Sequence, residues 1–161
     1  MATSKPTEIT DTGLHSLTNG AAAGTPHTPA YVVVIPPGDW NLIQVSARVL
    51  FLEPGAHLTL QHGNGDLPLV SHLYGLFISS GAVLNDVDNA LQENLTSIAP
   101  GGTLEMQPTA GNTAAGLPDK FGVLINGGSL HLDTPVYYTQ NIELPGSHVS
   151  NSGNLLQWPS A

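Results

Sequence analysis

The chain has 161 residues, of which 9% are charged, with 3 Lys and Arg against 12 Asp and Glu. An ordinary soluble domain carries charges at about a quarter of its positions. Three basic residues cannot form the cluster that neutralises phosphates, and the formal net charge of −9 repels nucleic acids and anionic membranes. We therefore expect neither a nucleic acid nor a membrane as a partner.

The sequence contains no Cys, which excludes disulfide bonds and zinc sites built on thiolates. A chain of about 150 residues can bury roughly two-thirds of its unfolded surface around a single core. Stability must therefore come from packing or from assembly with other chains.

Residues 1–29 are dominated by Thr, Ala, Ser, Gly and Pro, and their apolar residues show no sustained period. We interpret this stretch as an extended N-terminal arm that neighbouring subunits order. A disordered tail is the alternative. Residues 30–161 are predicted to form a single all-β domain.

From Tyr31 onward one arrangement recurs six times: a short apolar segment, a Pro, Gly or Asn punctuation, and a segment that alternates apolar with polar residues. Residues 48–52, followed by Glu53-Pro54-Gly55-Ala56 and then by residues 57–60, are one copy. Short runs rich in β-branched and aromatic residues between such punctuations are typical of strands that enter tight turns. The sequence predicts an all-β fold.

Two architectures are compatible with these units. If each punctuation is a hairpin turn, the body is an antiparallel β-sandwich, such as a jelly roll. If each is a corner between sheets, the units are rungs of a short parallel β-helix, which the type II geometry of Pro-Gly favours. The glycine-led segments recur at irregular intervals and Asn126-Gly127 is typical of a hairpin. We therefore predict the antiparallel sandwich.

One segment departs from the strand pattern. Leu84, Val87, Leu91 and Leu95 lie on one stripe at helical spacing, and this predicts a short helix across the end of the sheet. Loops are expected at residues 62–68 and 107–120, the second of which is rich in Pro, Gly, Asn, Thr and Ala.

Candidate metal ligands fall into two groups. His57, His62 and His72 lie close together in sequence, but His57 alternates with leucines and is expected on the exposed face of a strand, as is His131 beside Leu130 and Leu132. A second group, Asp86, Asp88 and Glu93, resembles a calcium-binding loop, but Ala90 and Leu91 occupy positions that need a ligand and a glycine. We predict no bound metal, and interpret these acids as caps on a solvated turn.

Neither Gly-x-Ser-x-Gly nor His-Glu-x-x-His occurs in the sequence. We expect no enzymatic activity and no cofactor. Tyr137 and Tyr138 are adjacent on a predicted strand, so one should face the core and the other a subunit interface. Trp158 is expected either to anchor the C-terminal residues on a neighbour or to close the chain's own core.

The polar arm, the segment Val32-Val-Val-Ile-Pro-Pro-Gly38 that leads into an all-β body, the absence of Cys and the scarcity of charge together resemble the cement or decoration proteins on the capsids of tailed bacteriophages. The resemblance implies a non-enzymatic virion protein, often trimeric, on the capsid surface after assembly in the host cytoplasm. Its partners would be a capsid or other virion protein and further copies of itself. The expected assembly contacts lie in residues 1–29, at Tyr138 and in residues 155–161, and include Pro26, Pro29, Leu155 and Trp158.

Two other functions are compatible with the same layout. The repeated units equally resemble a module of a tail fibre or tailspike. A carbohydrate-binding or adhesin module would use Tyr74, Tyr137, Tyr138 or Trp40 to stack on sugar.

Overall fold

A computed structural model of the chain describes residues 7–8, 24–25, 28–42, 46–61, 69–87, 89–107 and 119–158. Within these residues the protein forms β-strands in two sheets, one 3₁₀ turn at Ser152–Asn154, and no α-helix. The all-β prediction is confirmed.

Two parallel sheets contain almost all of the described strands. Sheet 1 has the order β1 (Thr7–Glu8), β3 (Thr28–Ile35), β5 (Ser46–Leu52), β7 (Leu69–Ile78), β9 (Asn89–Ile98), β11 (Asp119–Asn126), β13 (Val136–Glu143) and β15 (Leu155–Gln157). Sheet 2 has the order β4 (Gly38–Leu42), β6 (Ala56–Gln61), β8 (Val83–Val87), β10 (Thr103–Gln107), β12 (Ser129–Leu132) and β14 (His148–Ser150). A two-residue strand, β2 (Gly24–Thr25), pairs antiparallel with the start of β3.

The chain alternates between the two sheets, and each strand pairs in parallel with the strand two elements later. One strand of sheet 1 and the following strand of sheet 2 form a rung, and successive rungs stack. The predicted antiparallel sandwich or jelly roll is therefore wrong. The described residues adopt the alternative, a short parallel β-helix.

The turns between the sheets explain this outcome. Most of them are four-residue turns closed by a hydrogen bond from the fourth amide to the first carbonyl, as between Gly102 N and Ala99 O at 2.8 Å. The third residue is a glycine of positive φ, for example Gly101 at 84° after Pro100, which is type II geometry. Type II turns match the twist of antiparallel strands poorly, so the chain crosses to the second sheet instead of pairing with itself.

The Asn-Gly sequence after β11 also serves a crossing between sheets. Asn126 is fully buried, and its side-chain oxygen accepts a hydrogen bond of 3.0 Å from the Gly128 amide. Its amide group points toward the carbonyl of His148 on the next rung, at 3.5 Å. The side chain thus replaces the backbone pairing that a hairpin would supply.

The core lies between the two sheets and is built from rows, which are residues in register on successive rungs. One row in sheet 1 contains Ile35, Leu52, Ile78 and Ile98, and a row in sheet 2 contains Leu58, Leu84, Leu104 and Leu130. All of these side chains are buried. Because every strand alternates inward and outward residues, the opposite faces of both sheets form the outer surface.

Sheet 1 bends along one row. Ala47 and Leu50 both face the core although three residues separate them, as do Leu73 and Leu76 on the next rung. Residues three apart on a flat strand face opposite sides, so the strands must change direction between them. Pairing is interrupted at the same place on successive rungs, along a row that we call the corner row: Arg48, Tyr74, Asn94, Gly122 and Thr139.

The helix predicted over residues 84–95 is absent from the described residues. Leu84 lies in β8 with its side chain in the core, whereas Leu95 lies in β9 with its side chain on the outer side of sheet 1. The strands exist because neighbouring rungs pair with both segments, and this tertiary pairing overrides a local pattern that helices and strands share. Residues 62–68 and 108–118, where loops are expected, lie outside the described residues, as does most of the predicted arm.

Candidate functional site

A groove of about 360 Å³ opens on sheet 1 at the corner row. Its walls come from neighbouring strands: Gln92, Glu93 and Asn94 of β9, residues 120–122 of β11, Thr139 of β13, and Trp158 just after β15. These segments are separated in sequence by about one rung each, so only the stacking of rungs brings them together.

Gly122 creates the space. The corner row carries side chains at Asn94 and Thr139 on either side of it, and Gly122 contributes none. A Cβ at Gly122 would lie 2.3 Å from the backbone oxygen of Asn94, so no other residue fits without a shift of the backbone. The Thr139 hydroxyl donates a hydrogen bond of 3.3 Å to the carbonyl of Phe121, leaving its oxygen lone pairs directed outward from that bond.

A carboxylate lines the groove. Glu93 is only 5% exposed and lies in an inward row between Leu73 and Phe121. The hydroxyl of Thr96, which is also buried, donates a hydrogen bond to it. An acidic group in such a position is held by polar partners, because an isolated buried charge is strongly unfavourable.

This position corrects the sequence-based interpretation of the acidic group. Glu93 and Asp86 are core-facing strand residues and not caps on a solvated turn; Asp86 is 3% exposed, in register with Leu60 and Met106. Asp88 lies outside the described residues. In the described part of the chain, His, Asp and Glu do not form a cluster of three or more that could hold a metal ion.

An aromatic and cationic cluster forms the other wall. The Lys120 Nζ lies 3.8 Å from the ring centroid of Trp158, which is cation–π geometry. The Tyr137 ring meets Trp158 edge to face, with 5.2 Å between centroids. The Trp158 amide donates a hydrogen bond of 2.7 Å to the Tyr138 carbonyl, so Trp158 continues the pairing of β15 and β13. Trp158 therefore closes the last rung of its own chain, one of its two predicted roles, and 37% of its side chain remains exposed.

The five predicted assembly contacts do not form one site. Tyr138 and Leu155 are half-buried and pack against the core at the end of sheet 1 where Trp158 lies. Pro29 lies at the other end of that sheet, in β3, in register with Gly24. Pro26 lies outside the described residues.

The histidines do not converge either. His57 is exposed on the outer face of sheet 2, as predicted, with its Nδ1 3.2 Å from a carboxylate oxygen of Asp39. His72 lies in β7 of sheet 1, and His62 is outside the described residues. His131 has a corresponding contact of 3.2 Å with Asp133 on sheet 2.

Two of the aromatic residues expected to stack on sugar can be judged individually. Trp40 cannot do so, because it is 2% exposed and its indole N–H donates a hydrogen bond of 2.9 Å to the carbonyl of Pro36. Tyr74 is exposed, and the Arg48 guanidinium lies 5.9 Å from its ring centroid.

The fold places this molecule in the class of parallel β-helices, and the site is a polar and aromatic groove on one corner of the helix. Compared with protein-family models, with curated proteins and with solved structures, the chain matches none of them. In the described segments no helix has the length and apolar character needed to cross a membrane.

Sequence reasoning identified Trp158 and Glu93 but missed Gln92, Asn94, Lys120 and Thr139 as members of one site. These residues carry no local motif. The signal that could have found them is register: if the units are rungs, Gln92 and Lys120 occupy equivalent positions on neighbouring strands.

Proposed function

We propose that this protein is a non-enzymatic structural component of a virion, a decoration protein on the surface of a bacteriophage capsid. It assembles there through the outer face of sheet 1. The layout of the sequence supports the virion context, and the character of this face supports an assembly role.

The observation that carries the proposal is the composition of that face. Two outward rows run side by side along sheet 1 on the side of the corner row that leads to the turns. Nine of these outward side chains are apolar, and none is charged: Val32, Val34, Val49, Phe51, Phe77, Leu95, Val123, Ile125 and Ile142, with Ser97, Gly75 and Gln140 completing the rows. Phe51 is 37% exposed and Ile142 39%.

The outer face of sheet 2 provides a comparison within the same molecule. Its equivalent rows carry mostly polar or titratable residues: Asp39, Asn41, His57, Thr59, Asn85, Thr103, Glu105, Ser129, His131, His148 and Ser150, together with Val83. Each outward position lies on a strand of similar length in a parallel sheet, so the difference between the faces does not come from the fold. Parallel sheets are ordinarily covered on both sides, which an apolar outer face requires and a polar face does not.

The occupant that we propose for this face is a second copy of the chain, within a homo-oligomer that we expect to be a trimer. Because the chain carries a net charge of −9, copies repel one another least where neither presents a charged side chain. Strand spacing gives the face dimensions of roughly 24 Å by 12 Å, or about 300 Å². A standard interface buries about 800 Å² on each partner, so the face forms the apolar centre of the contact and residues around it form the rim.

Replacing Phe51 with aspartate should dissociate the oligomer. The new carboxylate would have to be buried without a partner, and we expect the association constant to fall by at least about a hundredfold. Thr59→Asp is the matched control, because it adds the same charge to the outer face of sheet 2 on the same rung and should leave the association unchanged. Sedimentation equilibrium measures both, and circular dichroism verifies that each variant is folded. Association of F51D at the wild-type strength would contradict the assembly role of this face.

The virion context is tested by fractionation. An antibody against the chain should detect it in gradient-purified phage particles, and immunogold labelling should place it on the capsid. Labelling at the tail would favour the tail-fibre alternative, and recovery in a cell-envelope fraction would favour the adhesin alternative. Either result would replace the decoration proposal, whatever the oligomeric state.

A further inference from the structure

The assembly face leaves the groove at the corner row unexplained. The groove combines hydrogen-bonding groups of several kinds: the ammonium of Lys120, the carboxylate of Glu93, the side-chain amides of Gln92 and Asn94, and the hydroxyl of Thr139. Trp158 adds apolar ring surface at the rim. A mixture of precisely held polar groups and aromatic surface in a concave site is typical of small-molecule binding sites.

We propose that this groove binds one neutral sugar residue, a pyranose of a glycan. A volume of about 360 Å³ lies at the small end of the range for ligand pockets, about 300–1,000 Å³, and so suits a single ring more than an oligomer or a large cofactor.

The charges of the lining favour a neutral ligand. The groove contains one cation, Lys120, and one carboxylate, Glu93, so an anionic ligand attracted by the first would be repelled by the second. A hydroxyl group can both donate and accept a hydrogen bond, and a ring bearing several hydroxyls matches donors and acceptors placed side by side. Lys120 can only donate, an ionised Glu93 can only accept, and Gln92 and Asn94 can do both.

The fold holds these groups in place. Glu93 is fixed by its burial and by the hydrogen bond from Thr96, and Lys120 is fixed above the Trp158 ring. Thr139 is fixed by its hydrogen bond to the backbone of β11. Side chains already held in one conformation lose little entropy when a ligand binds.

The chain offers a direct optical probe for this site. It contains two tryptophans, of which Trp40 is buried and Trp158 lies on the groove. A change in tryptophan fluorescence on adding a sugar therefore reports on Trp158. The probes are methyl α-D-glucopyranoside, methyl α-D-mannopyranoside, methyl β-D-galactopyranoside and N-acetyl-D-glucosamine, with the acyclic polyol sorbitol for comparison.

We expect a saturable fluorescence change with at least one pyranoside, with a millimolar Kd as befits so few ligand atoms, and no saturable change with sorbitol. Lys120→Met and Thr139→Val, each of which removes polar groups at nearly constant shape, should weaken binding by about tenfold. Arg48→Met is the matched control: it also removes one positive charge above an aromatic ring of the corner row, but Arg48 does not line the groove. Its Kd should equal that of the wild type.

Three results would overturn the proposal. They are the absence of a saturable change with every pyranoside, an equal response to sorbitol, and an unchanged Kd in both Lys120→Met and Thr139→Val. Saturation-transfer NMR on the same samples provides a readout that does not depend on Trp158. Because F51D tests the assembly face separately, loss of sugar binding and loss of assembly are distinguishable.

Discussion

Replacing Gly128 with alanine is expected to lower the free energy of unfolding by at least about 3 kcal/mol, the range in which forced overpacking of a tight site becomes severe. Gly128 is buried where the fifth and fourth rungs touch. A Cβ there would lie 2.4 Å from the carbonyl oxygen of Gly102 and 2.5 Å from that of Ala99. Both contacts are to backbone, so relief requires the rungs to separate. Ser129 and His148, whose amides bond to Gly102 and Gly128, would move as well.

Two other glycines serve as graded controls for this experiment. Gly146 has open space around its Cβ position but a φ of 86°, so Gly146→Ala should cost only the backbone strain of about 1–2 kcal/mol. Gly153 has open space and no positive φ, and Gly153→Ala should change stability by less than about 0.5 kcal/mol. Urea unfolding measures all three. If Gly128→Ala were no worse than Gly146→Ala, the close stacking of rungs at this turn would be wrong.

Replacing Leu84 with alanine is expected to lower the free energy of unfolding by about 2–5 kcal/mol, because the substitution leaves a cavity in the core. Leu84 is fully buried in β8, between Leu58 and Leu104 on the neighbouring rungs. Cavities at the centre of such a row collapse poorly, since side chains of two further strands hold the surrounding atoms apart.

The adjacent residue gives the control. Val83 lies on the outer face of the same strand, half-buried between His57 and Thr103. Val83→Ala should cost less than about 1 kcal/mol, the span of strand propensities. Chemical denaturation of both variants tests the inward and outward assignment of β8. Equal losses would contradict it.

The strand content of the chain could be predicted from sequence because each strand is short, rich in β-branched or apolar residues, and followed by punctuation such as Pro100-Gly101. Pairing direction could not be predicted with the same success. The spacing between units is irregular because the crossings from sheet 2 back to sheet 1 differ in length, for example the ten residues or so between β10 and β11 against the single residue between β8 and β9. Such variation hides a repeat that the turns themselves keep.

The false helix has a similar cause. Leu84, Val87, Leu91 and Leu95 fit a helical stripe, yet two strands separated by Asp88 produce the same spacing. Only contacts with other rungs distinguish the two, and a local pattern does not contain them.

The candidate groove was still less accessible to sequence reasoning. Trp158 was noticed because it is a large aromatic near the end of the chain. Lys120 and Thr139 looked ordinary, since their proximity depends on the register of three strands and on the missing side chain of Gly122. A correct parallel alignment of the units would have placed them side by side.

Stacked rungs also determine how the protein should open. Most contacts of a rung are with the rungs directly above and below it, so cooperativity spreads along one axis and the terminal rungs are held from one side only. The C-terminal rung is the more weakly covered of those described, because Ile142, Leu144 and Leu156 are all exposed there. Amide hydrogens in β13 should therefore exchange with solvent faster than those in β7 and β9, and fraying would proceed inward from Trp158. A ligand or neighbour that contacts this rung would slow exchange through much of the molecule while touching only its end.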